Sequence, residues 1–172
     1  MNRKLAIAAL LSATVALAGC KTTAPEELPP QQATVTPDAT PTPTPTTGGP
    51  VLGTQGHFVN AVNGQNIIYF DTDRYNIDSA DAAALQMQAQ YLMQNTAITV
   101  TIEGHADERG TRDYNLALGE RRANSAKNYL VGLGVPANRI ATVSYGKERP
   151  VALGSNAEAW AQNRRAVTVV IN

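Results

Sequence analysis

The sequence predicts an α+β domain of two layers, in which helices pack on a four-stranded mixed sheet, preceded by a disordered tether. Eight of the ten prolines fall between Pro25 and Pro50, so the first third of the 172-residue chain differs in composition from the rest. After this stretch, strand-like and helix-like segments alternate, an order typical of helices packed against one sheet. We therefore expect one folded domain over residues 51–172.

The first predicted strand lies in Gln65–Asp73, where β-branched and aromatic side chains stand between polar ones. Asp78 or Ser79 can then cap a helix that runs to about Asn95. Apolar residues recur on this helix at three- and four-residue spacing, which predicts its buried stripe as Ala84, Met87 and Tyr91, flanked by Leu85 and Leu92.

The segment "AITVTIEGHAD" predicts a second strand, because its apolar and polar residues alternate. One face carries Ile98, Val100 and Ile102 and is expected to pack on the core. The opposite face is expected to meet water and carries Thr99, Thr101, Glu103, His105 and Asp107.

A second helix is predicted from about Asp113 to Leu133, where Gly134 and Pro136 end it. Its buried side should carry Ala123, Ala126, Leu130 and Leu133. Three further elements complete the order βαβαβ(α)β: a strand at Ile140–Gly146, a short helix near residues 156–162, and a last strand in "RAVTVVIN" with Val167, Val169 and Ile171 alternating.

The first nineteen residues have the layout of an export signal, with Arg3 and Lys4 before an apolar run and small residues. Two cleavage sites compete, the secretory pattern Ala16–Ala18 and the lipoprotein pattern "LAGC" that ends in Cys20. Cys20 is the only cysteine, and an exported chain with one cysteine cannot form an internal disulfide. This favours cleavage before Cys20 and attachment of lipid to its thiol. Lys21, where an aspartate would signal inner-membrane retention in enterobacterial lipoproteins, favours the outer membrane.

Residues 20–50 form the predicted tether, rich in Pro, Thr and Gln and poor in apolar residues. Such a segment buries too little to offset its ordering entropy, so we expect it to be disordered. In polyproline form its length would reach ~90 Å. The chain has 14 basic and 14 acidic residues, and this balance argues against nucleic acid as a partner.

Charged residues of opposite sign flank the loop between the second strand and the second helix. Asp107 ends the strand, and Asn115, Leu118 and Arg122 share one face of the helix. An arginine keeps its proton, so Asp107 with Arg122 is a poor acid–base pair but a suitable clamp for a zwitterion. A surface ion pair is the alternative interpretation. The clamp also requires residues 108–112 to loop outward, because Arg122 lies nine residues into the helix.

A metal site is a second alternative, because Glu103, His105 and Asp107 alternate on one strand. Three successive alternate positions of one strand rarely converge on one ion, so no metal is expected. The chain has no Gly-x-Ser-x-Gly elbow and no Gly-x-x-x-x-Gly-Lys phosphate loop. The sequence therefore predicts no cofactor and no enzyme activity.

The stretch "TVTIEGHADERGTRDYNLALGERRANSAKNYLVGLGVPANRIATVSYGKERP", with "IIYFDTDRYNI" and "NRRAV", closely resembles the OmpA-like peptidoglycan-binding domain family over residues 67–171. The resemblance implies the fold of the OmpA C-terminal domain and non-covalent binding of diaminopimelate in the peptidoglycan stem peptide. Gly119 stands where many members of the family have serine. By resemblance, the ligand-binding residues are Asp107 and Arg122, with Asn115, Leu118, Phe70, Asp71 and Thr72 around them.

The resemblance also implies a cellular setting for the chain. Its partners would be peptidoglycan, a TolB-like periplasmic propeller protein and inner-membrane Tol components that act in envelope integrity and cell division. The protein would be lipid-anchored in the outer membrane with its domain facing the periplasm. The alternative function is a periplasmic metal-dependent peptidoglycan hydrolase built on Glu103, His105 and Asp107.

Overall fold

The computed structural model of the chain describes residues 51–171. The predicted signal sequence, Cys20 and the tether lie outside the described residues. Within the described range, no helix is both long and apolar enough to cross a bilayer. The elements are α1 Gln55–Ala61, β1 Ile67–Tyr69, α2 Ser79–Gln94, β2 Thr99–His105, α3 Arg112–Gly132, a 3-10 helix Ala137–Arg139, β3 Ile140–Gly146, α4 Ala157–Asn163 and β4 Arg165–Ile171.

The four strands form one sheet in the order β1-β4-β2-β3. Strands β2 and β3 are parallel and are joined through α3, whereas β4 pairs antiparallel with both β1 and β2. Helix α3 packs on β2 and β3 and also contacts α2. The core between sheet and helices includes Leu85, Leu92, Val100, Ile102 and Leu130. The predicted α+β fold with a mixed four-stranded sheet is confirmed.

Polar side chains cap both long helices, and the cap of α2 is one of the two residues that the sequence predicts. The Asp78 side chain accepts a hydrogen bond from the Asp81 amide at 2.8 Å, so α2 begins at Ser79. Thr111 caps α3 in the same way through the Tyr114 amide at 3.3 Å. Helix α3 thus begins at Arg112, one residue earlier than expected.

The buried stripe of α2 differs from the prediction by one position. Gln88 is fully buried, while Met87 is only half-buried. The Gln88 amide donates to the Gln65 carbonyl at 2.7 Å and accepts from the Thr168 hydroxyl at 2.7 Å. Two hydrogen bonds offset the desolvation of this side chain, so a polar residue takes the position that hydropathy assigns to methionine.

Strand β2 departs from simple alternation at its end. His105 is 1% exposed and Asp107 is 7% exposed, so the prediction that these two residues face water is wrong. His105 stays on the same face of β2 as Glu103, with Nε2 3.6 Å from Oε2, and the register of the β2–β3 pair shifts beside it because β3 carries one extra residue, Tyr145. The His105 ring then packs beside the Tyr145 ring at a centroid distance of 5.6 Å.

Three further features of the structure were not predicted. Strand β1 ends at Tyr69, short of Asp73, because the chain turns where Asp73 adopts a positive φ of 55°. In β4 the buried residues are Arg165, Ala166, Thr168 and Val170, while Val167, Val169 and Ile171 are less buried. Helix α1 was not predicted, and its Phe58 packs on Tyr91 with ring centroids 5.1 Å apart.

Candidate functional site

A cavity of about 250 Å³ opens at the carboxyl end of β2, beside the first turns of α3. Open α/β sheets commonly place ligands at such an edge. Five of the predicted site residues line it, namely Thr72, Asp107, Asn115, Leu118 and Arg122. Phe70 and Asp71 do not line this cavity. The remaining lining residues are Asp73, Ala106, Arg109, Gly110, Tyr114 and Arg164.

Arg122 is 0% exposed and is held by three backbone carbonyls. Its Nη1 donates to the His105 carbonyl at 2.8 Å and its Nη2 to the Asp71 carbonyl at 3.0 Å. Its Nε donates to the Arg74 carbonyl at 2.9 Å. Phe70 packs against the guanidinium, with the ring centroid 5.2 Å from Cζ. Arg122 therefore links β2 to the loop after β1, and Phe70 and Asp71 support it from behind.

The charge of Arg122 is not neutralised by a neighbour. Among residues 51–171, no carboxylate lies within 4.0 Å of its guanidinium. Burial, followed by repulsion from Arg164, lowers its pKa to about 10. The side chain stays charged at neutral pH, so a desolvated cation faces the cavity and favours an anionic ligand group.

Asp107 is paired with two other arginines. Arg109 Nη2 donates to Oδ2 at 2.6 Å and Arg109 Nε to Oδ1 at 3.0 Å, while Arg164 Nη1 approaches Oδ2 at 3.4 Å. Burial alone would raise the pKa of Asp107, but the hydrogen bonds and charge of Arg109, assisted by Arg164, hold it below its usual value. Asp107 is therefore ionised at neutral pH.

The loop between β2 and α3 takes the outward course that the clamp requires. Gly110 adopts a positive φ of 84°, which suits glycine. Asn115 Nδ2 donates to the Arg109 carbonyl at 2.6 Å, and Lys147 Nζ donates to the Gly110 carbonyl at 2.8 Å. The loop is thus fastened from α3 and from the chain after β3, with Asp107 and Arg122 on the wall of one cavity.

Sequence reasoning missed Arg109 and Arg164 as lining residues. Both lie in the stretches that carry the family resemblance, "GHADERGT" and "NRRAV". Arg109 lies two residues after Asp107 in a loop, a spacing that allows a local ion pair but does not specify one. Arg164 lies 57 positions from Asp107, and only the antiparallel pairing of β4 with β2 brings them together.

The alternative metal site is not supported by the geometry. Across residues 51–171, no group of three His, Cys, Asp or Glu side chains is arranged to hold a metal ion. His105 Nε2 lies 3.6 Å from Glu103 Oε2, while Asp107 is engaged by arginines. Burial, then repulsion from Arg165 and Arg149, lowers the pKa of His105 to about 4.

The fold places the chain in the class of two-layer α+β domains with an open mixed sheet. It belongs to the OmpA family, whose sequence pattern matches residues 69–164. The peptidoglycan-associated lipoprotein of Rhizobium meliloti (strain 1021) is 53% identical over 123 residues, 72% of this chain and 69% of that protein. The protein of the same name from Agrobacterium fabrum is 50% identical over 123 residues, 72% of this chain and 68% of that protein.

Solved structures support the same assignment. The crystal structure of the peptidoglycan-associated lipoprotein from Burkholderia pseudomallei matches with a TM-score of 0.63 and 44% identity, covering 66% of this chain and 99% of that chain. The C-terminal domain of Helicobacter pylori MotB shares the fold at 19% identity, with a TM-score of 0.57 over 62% of this chain and 84% of that chain. The OmpA family match and the relatives named peptidoglycan-associated lipoproteins support the prediction of a binding protein over an enzyme.

Proposed function

We propose that the chain is an outer-membrane lipoprotein that binds peptidoglycan without covalent bonds and holds the outer membrane to the cell wall. The ligand group is the free end of diaminopimelate in the stem peptide, which carries an ammonium and a carboxylate on one carbon. The observation that carries this proposal is the buried Arg122 guanidinium, which faces the cavity without a carboxylate partner beside the ionised Asp107.

The charge of the cavity suits such a ligand. Its charged lining residues are Arg109, Arg122 and Arg164 against Asp73 and Asp107, an excess of one positive charge. A ligand carboxylate at Arg122 would neutralise a desolvated cation, and hydrogen bonds to charged groups contribute roughly 1.5–3 kcal/mol each. The ligand ammonium would lie at Asp107. Binding of one stem peptide is then of modest strength, and many tethered copies facing a polymer compensate by effective concentration.

The cellular role follows from the family resemblance. Lipid on Cys20 would hold the chain in the outer membrane, and the tether would let the domain reach the cell wall. We propose further that the chain works with the Tol system, through a TolB-like propeller protein and inner-membrane Tol components, during envelope constriction at division. A partner whose contact surface overlaps the cavity would compete with peptidoglycan.

Co-sedimentation of the full chain with purified sacculi tests the proposal. The wild-type chain should pellet with diaminopimelate-containing sacculi and should not pellet with lysine-containing ones. Asp107→Asn and Arg122→Gln should each lower the bound fraction at least about tenfold, because each removes one charge-assisted contact. Thermal melting of both variants will separate loss of the site from loss of the fold.

Two matched controls come from neighbouring positions that do not line the cavity. Arg121 is exposed and adjacent to Arg122, and Asp113 lies in the first turn of α3. Arg121→Gln and Asp113→Asn should pellet like the wild type. Folded Asp107 and Arg122 variants that pellet normally would contradict the clamp. Release of soluble muropeptides that a chelator stops would instead indicate the hydrolase.

A further inference from the structure

We propose that Arg109 is an internal competitor of the ligand: its guanidinium occupies the ammonium position on Asp107 and leaves when a zwitterion binds. This inference rests on the proposed function and concerns the regulation and specificity of the same cavity. The side chain of Arg109 is 41% exposed, and its position on Asp107 disfavours ligands that offer an ammonium without a carboxylate.

The contacts of Arg109 saturate Asp107. Its Nη2 and Nε bind the two carboxylate oxygens at 2.6 and 3.0 Å, and its own amide donates to Oδ1 at 3.1 Å. Arg164 Nη1 approaches Oδ2 at 3.4 Å. A two-pronged guanidinium pair is the preferred geometry of a carboxylate. A ligand ammonium therefore cannot bind Asp107 directly while the Arg109 side chain remains in place.

The side chain of Arg109 is free to leave. It is 41% exposed, and its remaining side-chain contacts are a 3.3 Å hydrogen bond to the Thr72 hydroxyl and stacking on Trp160. The loop itself is fastened by other groups, namely Asn115 Nδ2 on the Arg109 carbonyl and Lys147 Nζ on the Gly110 carbonyl. Departure of the guanidinium thus leaves the loop backbone, and the amide bond to Asp107, in place.

Specificity follows from this competition. A simple amine must replace a bidentate guanidinium with one ammonium and gains nothing at Arg122. A ligand that also has a carboxylate gains the contact with the desolvated Arg122, which offsets the displacement of Arg109. The displacement of Arg109 therefore discriminates against a ligand that offers an ammonium without a carboxylate.

Trp160 is a built-in reporter of the displacement. It is the only tryptophan of the chain, and the Arg109 Cζ lies 4.2 Å from its ring centroid. Its Nε1 donates to Glu108 Oε1 at 3.0 Å, which ties the ring to the loop that carries Arg109. Removal of a cation from this ring changes its surroundings, so tryptophan emission should change when the ligand binds.

The test titrates the full chain in mild detergent with the stem tripeptide L-alanyl-D-glutamyl-meso-diaminopimelate, measured by calorimetry and by Trp160 emission. Arg109→Gln should bind roughly threefold to tenfold more tightly than wild type, because the competitor is gone. Arg109→Lys should fall between the two, since an ammonium cannot form the fork. The emission of the wild type should change on binding, and that of Arg109→Gln should not.

Arg112→Gln is the matched control, because Arg112 pairs with Glu148 and does not line the cavity. Its affinity should stay within about twofold of wild type. Equal or weaker binding by Arg109→Gln, with the wild type still binding, would overturn the competitor role of Arg109 but not the proposed function. If wild type and Arg109→Gln both fail to bind the tripeptide, the proposed function and the competitor fail together.

Discussion

At the scale of single residues, His105 is a buried titratable group that the proposed binding chemistry does not use. Within the described residues, neither of its ring nitrogens has a hydrogen-bond partner, and its side chain is enclosed. Its carbonyl, however, accepts from Arg122 Nη1 at 2.8 Å. A change in the charge of His105 therefore acts on the strand end that positions Arg122.

The stability of the domain should fall as pH falls from about 6.5 to about 4 because of His105. Burial, then the charges of Arg165 and Arg149, lowers its folded pKa to about 4 from the model-peptide value of 6.5. The unfolded chain therefore takes up the proton at a higher pH than the folded chain, and stability is lost between these two values. At about 1.4 kcal/mol per pH unit the loss is roughly 3 kcal/mol.

Urea unfolding at several pH values measures this effect in wild type and in His105→Phe. The phenyl ring keeps the packing on Tyr145 and cannot titrate. Asp81 acts in the opposite direction, because burial raises its pKa and the folded state takes up that proton first. The difference between the two proteins isolates His105. Parallel pH profiles for both would show that His105 does not cause the acid loss.

For single residues, the sequence predicted which charged side chains line the cavity better than which groups they bind. Asp107 and Arg122 line one cavity as expected, but the sequence did not predict the groups that each of them contacts. Asp107 pairs with Arg109 and Arg164, and Arg122 binds carbonyl groups. Those partners depend on a loop conformation and on strand pairing across 57 positions, which no local pattern encodes.

At the scale of secondary-structure elements, two glycines set how closely α3 approaches β2. A Cβ on Gly104 would overlap the Gly119 carbonyl, and a Cβ on Gly119 would lie 2.8 Å from the Gly104 carbonyl and would overlap the Ser144 hydroxyl. That hydroxyl donates to the Leu116 carbonyl at 2.7 Å. This approach seats the face of α3 that carries Arg122 against the end of β2.

We expect Gly119→Ala to lower the free energy of unfolding by about 1–3 kcal/mol, because both obstacles are close and one is backbone. The displaced helix should also weaken binding to sacculi. Gly132→Ala on the same helix is the control, since nothing lies within 4 Å of its added Cβ. It should raise stability by about 0.5–1 kcal/mol through helix propensity. Equal behaviour of the two variants would contradict the close-approach argument.

Elements were predicted well where a cap or turn residue marks their ends. Asp78 caps α2 as predicted, and β3 has the predicted bounds. The sequence was a poorer guide to which face of a strand is buried. In β4 both alternating sets contain apolar residues, so hydropathy alone could not identify the more buried face. Thr168 can be buried because its hydroxyl donates a hydrogen bond to the Gln88 side chain. Helix α1 has only seven residues, although Phe58 and Val62 show helical spacing.

At the scale of the whole molecule, the proposed function requires two independent attachments on one chain. The first is the cavity of residues 51–171 on the cell wall, and the second is lipid on Cys20 in the membrane. Neither attachment alone connects the two layers. As a flexible coil, the predicted tether of about thirty residues would span ~30 Å on average, which would let the domain bind the wall without moving its anchor.

Separate removal of each attachment tests this arrangement. Cys20→Ser, exported behind an unrelated cleavable signal, should leave the membrane fraction and still sediment with intact sacculi, since the cavity is unchanged. Asp107→Asn should stay in the outer membrane and should no longer sediment with sacculi. The double variant should be soluble in the periplasmic extract. Fractionation before and after lysozyme digestion measures all four proteins, because digestion releases only chains held by the wall. Retention of Cys20→Ser in membranes after digestion would show that a group other than the Cys20 lipid anchors the chain.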